Sequence, residues 1–298
     1  MALAALSGDE QCIIFVQLCN VLDPGVAVAF GSASSELWTL TQAPRQQLQA
    51  DYEAAAALGR KAGKRSCKEL REAGGVHWYK TGLSLDDLTL LGRLGSVLPV
   101  LETLGLEELE LYEPTAGLDG VQRLAEKLGA GALPAVTLLS LNRTHVGDAG
   151  ASALAAALGR GALPGLKTLF LAGTRIGDAG LVALAPALRR LPALERLYLG
   201  GNPLGDEGLA ALVAPQQPAG APPPTTGGLS KLTLLDLGCT LFTDDGCAAL
   251  AAALGSGALP ALASLSLDGA PASNTAIDAL RAARHGLHLE SSQMMVME

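Results

Sequence analysis

The sequence predicts an α/β fold: a curved solenoid with parallel strands on its concave side and helices on its convex side, preceded by an all-helical N-terminal segment. Three observations predict it. A segment with apolar residues at its first, fourth and sixth positions recurs about every thirty residues. Each recurrence is followed by a glycine-containing turn and an Ala/Leu-rich stretch. Aromatic residues make up only 3% of the 298, so a core in a chain that is 49% hydrophobic must be built from Leu, Val and Ala, which pack well when small similar units stack.

The strand segments begin at Leu106, Val136, Leu166, Leu194, Leu232 and Leu262, at intervals of 30, 30, 28, 38 and 30 residues. Leu166, Leu169 and Leu171 show the alternation of a short half-buried strand. The turns carry Gly-Asp-x-Gly or a relative at Gly147–Gly150, Gly177–Gly180, Gly205–Gly208 and Thr243–Gly246. Asp148, Asp178 and Asp206 sit where a helix N-cap belongs, since a carboxylate there accepts from first-turn N–H groups. Helices follow, as at 151–158 and 181–188. Gly159 and Gly255 read as C-cap residues, and Pro164, Pro192 and Pro260 stand where a helix cannot continue.

Counting one period back from Leu106 reaches Val76, so 76–81 reads as a degenerate first strand, with Ser84 and Asp87 forming a capping box for its helix. About seven copies then fill 76–287, and 288–298 is a C-terminal tail. The long interval holds a Pro/Gly insertion at 214–228, too poor in helix formers to extend a helix and therefore looped out. A strand and a helix this short cannot bury their apolar faces alone, so the copies must stack.

The unit L-x-x-L-x-L-x-x-(N/T), followed by (L/I)-G-D-x-G and an Ala/Leu helix, closely resembles leucine-rich repeats of the ribonuclease-inhibitor-like type. The position usually held by Asn is Asn only at Asn202. It is Thr144, Thr174 and Thr240 in other copies, and Pro114 and Ala270 in the outer ones, so the side-chain ladder along the turns is expected to be weaker or different.

Residues 1–75 do not fit the repeat. Helices are expected over 9–22, 26–34 and 44–58, with Asp23-Pro24 starting a turn. The stretch Ile13–Leu40 resembles the F-box motif through Ile14, Leu18, Leu22, Asp23, Pro24, Val28, Ser32, Ser34 and Trp38. The resemblance implies docking on the Skp adaptor of cullin-type ubiquitin ligases, with Ile14, Leu18, Leu22, Pro24 and Trp38 as adaptor contacts and the repeats as substrate receptor. The competing reading is a cover for the open apolar end of the solenoid.

Other function classes recede. A net charge of −8 argues against gripping nucleic acid or anionic lipid. The basic run Arg60, Lys61, Lys64, Arg65, Lys68 and Arg71 lacks interleaved aromatics and reads as a solvated helical face. The five cysteines contain no C-x-x-C and read as reduced, core-packing thiols of a cytoplasmic or nuclear protein. No secretory signal and no apolar run of membrane-spanning length is visible. No nucleophile elbow, P-loop or H-E-x-x-H occurs, and His285 with His288 lack companions for a metal site. The expectation is a non-enzymatic chain without cofactor or metal, whose partner is a protein.

That partner is expected on the concave face, where residues between the buried anchors point into the hollow. This reading selects Trp78, Lys80, Glu108, Glu110, Tyr112, Arg143, Phe170, Arg175, Arg196, Tyr198 and Asp236. Phe170 and Tyr198 hold the same position in adjacent copies, so strands about 4.8 Å apart set their rings side by side. A second reading is regulation of an enzyme. Ribonuclease inhibitors and the Ran GTPase-activating protein act so on similar repeats, and Arg143 and Arg175 lie in the strand-to-helix loops where an activator would act.

Overall fold

The computed structural model describes residues 7–79, 81–107, 116–213 and 229–290. Helices α1 (Gly8–Leu18), α2 (Gly25–Gly31), α3 (Ser35–Leu40), α4 (Gln42–Lys61) and α5 (Cys67–Arg71) come first. Strand–helix units follow: β1 (Gly75–His77) with α6 (Leu85–Leu94), β2 (Thr103–Gly105) with α7 (Ala116–Lys127), and β3 (Leu138–Ser140) with α8 (Gly147–Gly159). Next come β4 (Thr168–Phe170) with α9 (Asp178–Leu188), β5 (Arg196–Tyr198) with α10 (Asp206–Val213), β6 (Leu234–Asp236) with α11 (Asp244–Gly255), β7 (Ser264–Ser266) with α12 (Asn274–Ala283), and finally β8 (His288–Glu290).

The strands form one parallel sheet in sequence order, β1 to β8, each in register with the next, as in Leu169↔Leu197 and Leu197↔Leu235. The anchors are sealed: Leu166, Leu169, Leu171, Leu194, Leu197 and Leu199 expose 1% or less. They join one continuous core that runs from the N-terminal helices to Leu280, each buried leucine contributing roughly 2 kcal/mol. The chain is thus the curved α/β solenoid that the periodicity predicts.

Among the N-terminal helices α1 ends at Leu18 rather than at 22 and α3 is additional to the three expected, and three boundaries of the repeats differ from the sequence reading. The second copy begins at Leu101, not Leu106. Both L-x-x-L-x-L triplets fit the pattern, but Thr103 is the residue that pairs with Gly75 and with Leu138. In the first copy Val76 is consequently the second anchor and Trp78 the third. The predicted tail also begins with a strand, since β8 pairs with β7 through Leu265↔Leu289. The insertion at 214–228 lies outside the described residues.

The Gly-Asp-x-Gly turns join neighbouring copies rather than capping their own helices. Asp148 Oδ1 accepts from Gly177 N (2.7 Å) and Gly180 N (3.0 Å) of the following copy, and Asp178 Oδ1 accepts from Gly205 N (2.7 Å) and Gly208 N (3.0 Å). Asp206 takes the N–H and hydroxyl of Thr243, and Asp244 those of Ser273. The Ser273 N–H and hydroxyl hold the Asp244 carboxyl below its usual range. At α9 the carboxylate of Asp148 stands in for a missing cap, since the N-cap Gly177 has no side chain to offer, whereas Thr243 and Ser273 also cap their own helices through Asp245 N and Ala276 N. The closing glycine makes room for the incoming carboxylate: a Cβ on Gly208 would stand 2.6 Å from Asp178 Oδ1 but 3.3 Å or more from its other neighbours.

The two roles are coupled, and a mutant cycle measures the coupling. Asp178→Ala and Gly208→Ala are each expected to cost about 2 kcal/mol in urea unfolding, because either change strands the same two N–H groups. The double variant should cost no more than Asp178→Ala alone, since the deleted carboxylate is what the new methyl would strike. Additive losses would show that the glycine is needed for another reason.

The predicted C-caps shift by one residue, to Arg160 and Ser256, each followed by a glycine. Gly161 and Gly257, at φ 87° and 88°, take the left-handed conformation, while Gly159 and Gly255 end their helices. The Ser84–Asp87 capping box forms as expected.

At the N-terminus α4 is a strut between two cores. Leu48 in its first half packs with Phe15 and Ala27 in a small separate cluster, while Ala55 and Leu58 in its second half belong to the main core. Trp78 Nε1 donates to the Leu58 carbonyl at 3.3 Å. Lys61 Nζ lies 2.6 Å from Asp87 Oδ2. Burial opposes the charge on Asp87, but hydrogen bonds from Lys61 and Ser84 outweigh it and hold the carboxyl below its ordinary range. Arg71 pairs with Asp23, so two of the six basic-run residues tie elements together.

Candidate functional site

Alternation along each strand sends the residue on either side of the central anchor to the concave face. One row is His77, Gly105, Ser140, Phe170, Tyr198, Asp236 and Ser266. The other is Gly75, Thr103, Leu138, Thr168, Arg196, Leu234, Ser264 and His288. At the centre Phe170 and Tyr198 stack, with centroids 4.4 Å apart and planes inclined by 16°. Both rings are half-buried. Arg196, two residues before Tyr198 on the same face, is exposed, and its Nε donates to Thr168 Oγ1 at 3.1 Å.

Of the residues expected here, Phe170, Arg196, Tyr198 and Asp236 share this surface. Arg143 and Arg175 are exposed beside it in the strand-to-helix turns, with left-handed backbone at φ 55° and 61°. Trp78 does not belong to the surface: it is 0% exposed, because the corrected register makes it an anchor. Lys80, Glu108, Glu110 and Tyr112 lie outside the described residues, and the second copy presents Thr103 and Gly105 instead. Leu138 and Leu234, half-buried on the concave face, are not among the residues selected from the sequence. Their place in the strand alternation was the available signal.

The glycines at the strand-to-helix edge were the other omission. Ala172-Gly173, Gly200-Gly201 and Gly238-Cys239 occupy the same turn of three consecutive copies, and with Arg143, Asp236 and Asp268 they line an open trough of about 530 Å³ beside the aromatic pair. Below them the Asn/Thr position is satisfied in two ways. Asn202 bridges copies: its Oδ1 accepts from Thr174 N and Ile176 N, and its Nδ2 donates to the Leu171 and Leu199 carbonyls. Thr174 and Thr240 also bond carbonyls within their own turns, and Thr144 reaches Leu106 of the preceding copy.

The F-box-like residues separate. Leu22 is 3% exposed and packs in the main core, so it is not open to an adaptor, whereas Ile14, Leu18 and Pro24 are half-buried and Trp38 is exposed. Trp38 lies under the Arg45 guanidinium at 3.4 Å. Ile13, Val16, Val26 and Val28 are exposed around the same helices.

Cys67 and Cys247 are buried, Cys12 and Cys19 half-buried, and Cys239 exposed. Burial, with Asp244 and Asp206 nearby, pushes the Cys247 thiol up to about 11. At pH 8 only ~0.1% of it is thiolate. Iodoacetamide at that pH is therefore expected to label Cys239 and leave Cys247 unlabelled until urea is added, as peptide mass mapping would show. Among the described residues no group of three or more His, Cys, Asp or Glu could hold a metal, and no helix is long and apolar enough to cross a membrane.

A leucine-rich-repeat family model matches residues 134–155, 164–185, 191–213 and 228–251. No curated protein matches the chain. Among solved structures it is similar to a leucine-rich-repeat protein of Leptospira interrogans, at 18% identity over 68% of this chain and 45% of that one, with a TM-score of 0.33. It is also similar to an internalin of Listeria monocytogenes, at 14% identity over 81% of this chain and 90% of that one, with a TM-score of 0.29. The chain thus spans less than half the length of the Leptospira protein. The four matched segments coincide with strand–helix units in the middle of the sheet, whose anchors are buried and whose strands pair in register, so the fold is that of a curved leucine-rich-repeat solenoid.

Proposed function

We propose that the chain is a non-enzymatic protein-recognition module that holds a partner on its concave face. The observation that carries this reading is the Phe170–Tyr198 stack: two partly exposed rings at the centre of the face, flanked by Arg196, in a chain where aromatics are 3% of residues. Aromatic and arginine side chains dominate the energetics of protein interfaces. The repeats supply the rigid scaffold, and the reading places the chain in the cytoplasm or nucleus, where its cysteines stay reduced. Affinity capture with the wild-type chain and with a Phe170→Ala/Tyr198→Ala variant tests it. Partners retained by the first and lost by the second are expected, and an identical set from both would refute it.

The finer form is a substrate receptor of a cullin ubiquitin ligase built on ribonuclease-inhibitor-like repeats. Its support is the large apolar side chains that α1 to α3 leave exposed, Trp38 and Val28 among them, beside a small core of their own. Retention of the Skp adaptor by the full chain, lost in Trp38→Ala, is the expected result. Regulation of an enzyme is the alternative, favoured by the exposed Arg143 and Arg175. Acceleration of GTP hydrolysis that Arg175→Ala abolishes would distinguish it.

A further inference from the structure

The trough beside the aromatic stack has a floor of small residues: Ala172, Gly173, Gly200, Gly201 and Gly238. The turn does not demand glycine at all of them. Ala172 fills the position of Gly200 and Gly238, while Arg143 and Cys239 (φ 55° and 53°) hold the left-handed position of Gly173 and Gly201 (φ 65° and 68°). Side chains fit this turn in the flanking copies, and their absence in between opens ground on which another backbone can lie close.

The ends of the trough differ in charge. Glu107 and Arg143 of opposite sign stand at one end, and Asp236 and Asp268 at the other. Asp236 Oδ1 accepts from Gly238 N at 3.0 Å, which fixes the carboxylate. Its Oδ2 has no hydrogen-bond donor among the described residues and leans over the floor, 3.1 Å from where a Cβ of Gly200 would be. In the same row, on the preceding strand, lies the Tyr198 ring. From β2 to β7 the trough crosses five strand spacings, roughly 24 Å, the reach of about seven extended residues.

We infer that this trough takes an extended, basic segment of a partner protein, with one lysine or arginine side chain seated between the Tyr198 ring and the carboxylates of Asp236 and Asp268. The inference rests on the concave-face reading and names the partner's chemistry. A cation is drawn both to a tyrosine face and to carboxylates. At the Asp236–Asp268 end an acidic segment or a nucleic-acid backbone would meet two like charges.

Selection of random heptapeptides displayed on phage against the full chain tests the proposal, with Asp236→Asn/Asp268→Asn and Phe170→Ala/Tyr198→Ala variants alongside. Asparagine at 236 keeps an acceptor for Gly238 N and removes only the charge, and circular dichroism melts would verify that each variant is folded. Expected are wild-type binders enriched in Lys or Arg, whose synthetic versions bind the Asn variant at least about tenfold more weakly. Binders that depend on Phe170 and Tyr198 but carry no basic residue, or that ignore the Asn changes, would overturn the proposal and leave the concave-face reading standing. Binders indifferent to both variants, or none at all, would overturn the two together.

Discussion

Replacing Asn202 by alanine is expected to lower stability by about 4 kcal/mol, the largest loss from any single truncation in the turns. The side chain is 2% exposed and serves five groups at once: Thr174 N (2.9 Å), Ile176 N (3.1 Å), the Thr174 hydroxyl (3.1 Å) and the Leu171 and Leu199 carbonyls (2.7 and 2.8 Å). Alanine leaves those backbone groups buried without their partner. Each such group costs roughly 1–3 kcal/mol, partly relieved by relaxation. Asn202→Thr should lose about half as much, because a hydroxyl can still bond a carbonyl in its own turn, as Thr240 does with Leu237, but cannot serve both copies. Asn202→Asp should be at least as damaging as alanine, since it turns a carboxylate toward two carbonyl oxygens. Urea unfolding followed by circular dichroism reads the series. The loss falls on the junction between β4 and β5, so in a stack held by nearest-neighbour contacts the alanine variant should also unfold over a broader range, with a smaller m-value. A threonine variant as stable as wild type would show that the bridging bonds contribute nothing beyond those within the turn.

The solenoid was legible because its signal is repeated. One L-x-x-L-x-L triplet is weak, but several at a near-constant interval allow few alternatives, and the buried anchors of β3 to β7 stand where the pattern puts them. Legibility failed where two triplets overlapped. Leu101-Leu104-Leu106 and Leu106-Leu109-Leu111 fit equally well along the chain. The decision lies in pairing across space, where Thr103 must meet both Gly75 and Leu138. That single choice carried Trp78 from the core to the surface in the sequence reading. The aspartates illustrate another limit. Their position at helix starts was readable, but a carboxylate at the first turn can cap its own helix or the next, and only the spacing of stacked copies selects the second.

Much the same holds for the site. Phe170 and Tyr198 could be paired from sequence because equal positions in adjacent copies become neighbours in a parallel sheet. The trough could not, because it is defined by side chains that are missing, and glycines in turns are ordinarily read as backbone devices. For the N-terminal segment the sequence supports either a docking module or an end cover, and the packing of α4 is itself divided between two cores. The second half of α4 covers the first repeat through Ala55 and Leu58. Its first half, with α1 to α3, forms a separate cluster whose outer face carries Trp38 and Val28.

For a partner bound on the concave face, Phe170→Ala and Tyr198→Ala should each weaken affinity by about 2 kcal/mol, roughly thirtyfold, and the double variant by less than the sum. The stack is the reason for the shortfall. With centroids 4.4 Å apart, each ring forms part of the wall against which the other is held, so removing one frees its neighbour to leave the bound geometry. Folding should change little, since both rings sit on the solvent side of strands whose anchors Leu169 and Leu197 are fully buried. Arg196→Ala should cost less, about 1 kcal/mol, because the guanidinium remains in water and its contact with Thr168 is already made without a partner. Titration calorimetry with the captured partner, together with thermal melts of each variant, separates affinity from stability. Full additivity of the two ring truncations would mean that Phe170 and Tyr198 meet the partner independently. Unchanged affinity in the double variant would move the recognition surface off the concave face altogether, leaving the apolar face of the N-terminal helices as the place to look.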